Sequence, residues 1–71
     1  MLIIKTVEEA IRLIESHSGE AKDFKLAVCQ SLLDPTGVNM AIITDKILSM
    51  GWMPAGFEDH EGYRLFMYSD L

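Results

Sequence analysis

The chain has only one cysteine, Cys29, in 71 residues, so no disulfide can form within one copy. Basic side chains are also scarce, with six Lys and Arg against eleven Asp and Glu and a net charge of −5. Proteins that grip nucleic acid neutralise phosphates with clustered Lys and Arg. Here Lys5, Arg12, Lys22 and Lys25 are dispersed through the first half. The second half holds only Lys46 and Arg64, facing Asp45, Glu58, Asp59, Glu61 and Asp70. Long apolar runs are missing too. No uninterrupted stretch exceeds four residues, as in Leu26 to Cys29 and Leu65 to Tyr68, whereas a helix across a bilayer needs about 20. Lys5, Glu8 and Glu9 interrupt the opening apolar residues before a secretory hydrophobic region forms. These absences argue against nucleic-acid and membrane partners and lead to the expectation of a cytoplasmic protein.

Hydrophobic residues are plentiful: 49% of the chain, with a mean hydropathy of +0.18. One domain of this length buries only about 60% of its unfolded surface. An acidic chain this small and this apolar is therefore expected to keep hydrophobic surface for a partner.

Residues 2–5 read as a short strand centred on the β-branched Ile3 and Ile4. Thr6-Val7-Glu8-Glu9 is a capping box, and Val7, Ala10, Ile11 and Ile14 follow at helical spacing to about His17, with Ser18 and Gly19 as the stop. From Glu20 to Leu33 the Ala, Leu and Gln content predicts a second helix, although Phe24 to Val28 also alternates as a strand would. Asp34-Pro35 predicts the start of a third helix, weakened by Gly37 so that regular turns begin near Val38 or Asn39, and Gly51 ends it after Met50. Trp52 to Phe57 and Gly62 to Ser69 then form a hairpin around a Glu58–Glu61 loop. Pro54 consigns the first of these strands to a sheet edge. The expected class is α+β: a β-α-α-α-β-β chain with three helices on one face of a small sheet, ordered hairpin edge, last strand, first strand.

In layout alone, three helices before a hairpin resemble a winged helix-turn-helix, which implies a third helix seated in a DNA groove. The charges oppose that use. The exposed face of that helix offers Asn39, Ile42, Asp45, Lys46 and Ser49, which sum to zero, and the wing tip would carry Glu58, Asp59 and Glu61. A DNA-binding transcriptional regulator is accordingly the alternative expectation.

Catalytic signals are weak. Cys29, set between apolar residues of the expected second helix, reads as a small buried hydrophobe. Ser16-His17-Ser18 is contiguous at a helix end, and no nucleophile elbow, Gly-rich phosphate loop or paired-cysteine motif occurs. Glu58-Asp59-His60-Glu61 has metal-ligand side chains but no second ligand set, so it reads as a solvated loop. The expectation is no catalytic residue, no metal and no cofactor. The Met and aromatic residues of the second half point to protein contact instead. The last strand alternates Tyr63, Leu65, Met67 against Arg64, Phe66, Tyr68, apolar on both sides. With Leu65 and Met67 taken as inward, the surface expected to meet a partner is Phe57, Phe66, Tyr68, Trp52, Met53 and Ile42. The expected function is a small non-catalytic interaction module that binds a second copy, as a homodimer, or serves as the accessory or regulatory subunit of another protein.

Overall fold

A computed structural model describes residues 2–17 and 23–70, in the order β1 (Ile3–Ile4), α1 (Val7–Ser16), β2 (Phe24–Cys29), α2 (Val38–Ser49), β3 (Trp52–His60) and β4 (Tyr63–Asp70). A single 3-10 turn, Gln30–Leu32, follows β2. Thr6 caps α1 as its sequence predicts: the Glu9 amide donates to the Thr6 hydroxyl at 3.1 Å. The Glu9 carboxylate in turn accepts from that hydroxyl at 3.4 Å, rather than from the Thr6 amide. At the other end His17 Nδ1 donates to the Leu13 carbonyl at 2.9 Å, satisfying one of the acceptors a helix end leaves open. The expected Ser18-Gly19 stop lies outside the described residues.

The α+β class holds, but the described residues form two helices and a four-stranded mixed sheet ordered β1-β2-β4-β3. The expected helix from Glu20 to Leu33 is replaced by β2 and the short turn; its first residues, 20–22, lie outside the described residues. β2 is a central strand, parallel to β1 and antiparallel to β4. Phe24, Leu26 and Val28 are buried on one side of it and Ala27 on the other, whereas Lys25 is exposed. The segment is therefore apolar over most of its girth, a property that also suits a buried helix. The insertion of β2 separates β1 from β4, and the described residues do not form the three-helix layout of a winged helix.

The second helix starts at Val38, behind an αL Gly37 with φ 74°. Asp34 does not cap it directly. Its carboxylate accepts from the Thr36 hydroxyl and from the Asn39 amide, closing the turn that leads into the helix. The hairpin is longer than its composition suggested. β3 continues through Glu58, Asp59 and His60, and the connection shrinks to Glu61-Gly62, where Gly62 takes φ 87°. Pro54 does lie on an edge strand, and the ladder slips between Pro54 and Gly56 in a β-bulge.

Both helices pack on one face of the sheet. Ala10 and Ile14 of α1 and Ile43 and Ile47 of α2 join Ile4, Phe24, Leu26, Val28, Trp52 and Tyr68 in one core. Register carries that face across the strands: Phe24 opposes Tyr68 and Leu26 opposes Phe66. Rings stack along it, with centroids 5.0 Å apart for Phe24–Trp52 and 6.1 Å for Phe24–Tyr68.

Candidate functional site

Strand alternation dictates what the opposite face carries. In β2 it is Lys25, Ala27 and Cys29. Their partners in β4 are Met67, Leu65 and Tyr63, and the neighbours of those in β3 are Gly56, Glu58 and His60. Ile3 pairs with Ala27, and two residues on Lys5 follows the same side. Met53 joins them opposite Ser69. Ala27 is buried although it belongs to the face without helices, because Ile3 and Leu65 flank it. Ile3, Cys29, Tyr63, Leu65 and Met67 are half-buried. Among the described residues no helix covers this face.

The face is therefore an apolar stripe between two charged margins. Lys5 and Lys25 lie toward the β1–β2 side, and neither has an ion partner among the described residues. Glu58 and His60 lie on the β3 side, 3.4 Å apart, and the His60 ring stacks on Tyr63 with centroids 4.8 Å apart. A shallow cleft of about 200 Å³ opens at the other end, between Lys25, Met67, Ser69 and the bulged Ala55.

These positions reverse part of the sequence expectation. Phe66 and Tyr68 turn toward the helices, while Leu65 and Met67 turn out. Tyr68 is 2% exposed and Trp52 3%, so both are core residues. Large rings go inward because Phe24, Leu26 and Val28 already define the helix face, and register brings Tyr68 and Phe66 beside the first two. Met53, 42% exposed, is the member of the expected set that lies on the open face. Phe57 is 52% exposed on the helix side of the hairpin, where the Arg64 guanidinium sits 4.3 Å from its ring centre. Ile42, 47% exposed, belongs to the outward face of α2 with Val38 and Leu48. Asp45 and Ser49 interrupt that helical face. The structure thus does not bring the six expected residues together. Leu65, Met67, Tyr63 and Ile3 make the continuous patch. Lys25, the one charged residue inside β2, marks the outward side once that segment is recognised as a strand.

The remaining candidates are placed differently. Cys29, expected in a buried helix, ends β2 and is half-buried on the open face. Hydrogen bonding with Ser31, whose hydroxyl oxygen is 3.3 Å from the sulfur, lowers the thiol pKa below its ordinary value, and the nearby charge of Lys5 adds to this. At the hairpin end Arg64 Nε donates to Asp59 at 2.5 Å, and this bond holds the Asp59 carboxyl below its usual range. Among the described residues no three His, Cys, Asp or Glu side chains converge as metal ligands, and no helix is long and apolar enough to cross a membrane. Burial pushes the Tyr68 hydroxyl up to about 12, and its oxygen has no hydrogen-bond partner among the described residues. Comparison with protein-family models, curated proteins and solved structures finds no match.

Proposed function

We propose that this chain is a small non-catalytic protein-interaction module that works through the uncovered face of its sheet, by self-association or as an accessory subunit. The observation that carries the reading is the stripe of Ile3, Ala27, Cys29, Tyr63, Leu65 and Met67, contiguous across three strands and left without a covering layer among the described residues. A sheet with helices on one side buries one apolar face, and a second apolar face gains by being covered from outside. Its centre is aliphatic and its margins are charged, which is the anatomy of protein interfaces. Edge pairing is the poorer route, because Pro54 and the bulge blunt β3 and β1 is two residues long. A cytoplasmic setting is part of the proposal, supported by the single free thiol.

Affinity purification of the full chain tests the reading. A stoichiometric complex, with a second copy or with another protein, is expected for the natural sequence. Leu65→Asp and, separately, Met67→Asp should abolish it while the far-ultraviolet circular dichroism stays unchanged. A complex that survives both substitutions, or no complex at all, would overturn the proposal.

A further inference from the structure

We infer that the occupant of the uncovered sheet face is a second copy of this chain, docked about a two-fold axis that runs along the strands. This rests on the interaction-module reading above and adds the partner and its orientation. The distribution of charge points to this occupant. On this face the lysines, Lys5 and Lys25, belong to the β1–β2 half, with Asp23 beyond Lys25 at the cleft end, and Glu58 belongs to the β3 edge. An axis in the plane of contact and parallel to the strands lays the β1 side of one copy over the β3 side of the other. Lys5 of each copy then lies over the Glu58–His60 edge of its mate, twice by symmetry, and the two apolar stripes meet between these pairs. Along the strands Lys5 stands near the level of Cys29, whose register partner Tyr63 opposes His60. Glu58 is two residues away on the same side of β3, within reach of a lysine side chain.

The other face-to-face arrangement has its axis across the strands. It would stack lysines near lysines and Glu58 over Glu58, a repulsion on both margins. The charge pattern therefore selects one orientation, since both keep the strands in the aligned packing that two twisted sheets prefer. Size is consistent with a reversible pair. Three strands about 4.8 Å apart, overlapping for about six residues of about 3.3 Å, with the two residues of β1 beside them, give a footprint on the order of 300 Å². With side-chain relief, two copies together bury somewhat under about 1,000 Å², the size of a weak, reversible pair. Tyr63, Leu65 and Met67 supply the centre of the contact.

Sedimentation equilibrium of the full chain, alone and in mixtures, is the test. The natural sequence should form a dimer at about 100 µM. Lys5→Glu and Glu58→Lys should each weaken it by about ten-fold, because each places two like-charged pairs in the contact. Mixing the two single variants should restore a dimer made of one copy of each, and the double variant should dimerise like the natural chain. Both substituted positions are exposed, so circular dichroism should show an intact fold in every sample. A monomeric natural chain would overturn the inference, as would a dimer indifferent to both reversals. So would a mixture that stays monomeric although each variant is folded. A monomer that binds a different protein through Leu65 refutes self-pairing alone and leaves the module reading standing. Failure to bind anything refutes both.

Discussion

Replacing Tyr68 with Phe should make this protein more stable. The ring is stacked on Phe24 in the core, and its hydroxyl oxygen is buried without a hydrogen-bond partner among the described residues. An unsatisfied buried hydroxyl costs about 1–3 kcal/mol of desolvation, while the ring contacts survive the change. We expect Tyr68→Phe to gain about 1 kcal/mol at pH 7, a rise in Tm of about 4–8 °C for a chain of this size. The same burial predicts a pH signature. The hydroxyl ionises near 10.0 when unfolded and near about 12 when folded. The folded state then holds its proton more tightly, so the natural chain keeps its neutral-pH stability below pH 10 and loses stability as pH rises from there through about 12. A shift of that size corresponds to about 2–3 kcal/mol in total, at a slope of about 1.4 kcal/mol per pH unit. Urea unfolding from pH 7 to pH 11 should therefore show the natural chain falling away from Tyr68→Phe above pH 10. The difference between the two curves cancels the other titrating groups. Destabilisation by more than about 1 kcal/mol at pH 7, or two curves that run parallel to pH 11, would refute the reasoning.

Three other expectations follow from single contacts. Thr6→Ala removes the hydroxyl that accepts from the Glu9 amide, and thermal unfolding should show a loss of about 1 kcal/mol. Changing Asp59, His60 and Glu61 together to Ser should cost less than about 1 kcal/mol, because the Arg64–Asp59 pair is surface-exposed; added Zn, Mn or Ca should leave the Tm unmoved. Anisotropy titrations with mixed-sequence DNA near physiological salt should show no appreciable binding. Lys46 and Arg64 are already paired with Glu15 and Asp59, and micromolar, salt-sensitive binding would contradict this.

The sequence is most legible where a segment makes its own local contacts. The Thr6 capping box and the Val7–Ile14 spacing specify α1 without help from the rest of the chain. Pro54 likewise points to an edge strand from its missing amide alone. Residues 24–29 are the opposite case. Their type depends on neighbours on both sides: Ile3 and Ile4 arrive in parallel and Tyr63 to Tyr68 antiparallel, neither of them adjacent in sequence. An isolated apolar hexapeptide carries no record of those partners, and its Ala and Leu residues suit a helix equally well. The orientation of β4 depends on β2 as well. Alternation separates Leu65 and Met67 from Phe66 and Tyr68, but which pair turns inward is set by the register against Phe24 and Leu26. With 24–29 read as a helix, alternation alone turns the wrong pair outward and places Trp52 and Tyr68 at a surface that the core occupies.

If two copies of this chain meet through the uncovered sheet face, methyl-resolved nuclear magnetic resonance reads that contact directly. Spectra of the full chain should be recorded on dilution from about 500 µM to about 10 µM, a range that spans the dissociation expected for an interface of this size. Concentration-dependent shifts are expected at the methyl groups of Ile3, Ala27, Leu65 and Met67, with Ile43 and Ile47 in the core unmoved. Shifts confined to Val38, Ile42 and Leu48 on the outward side of α2, or no change at any concentration, would contradict that contact.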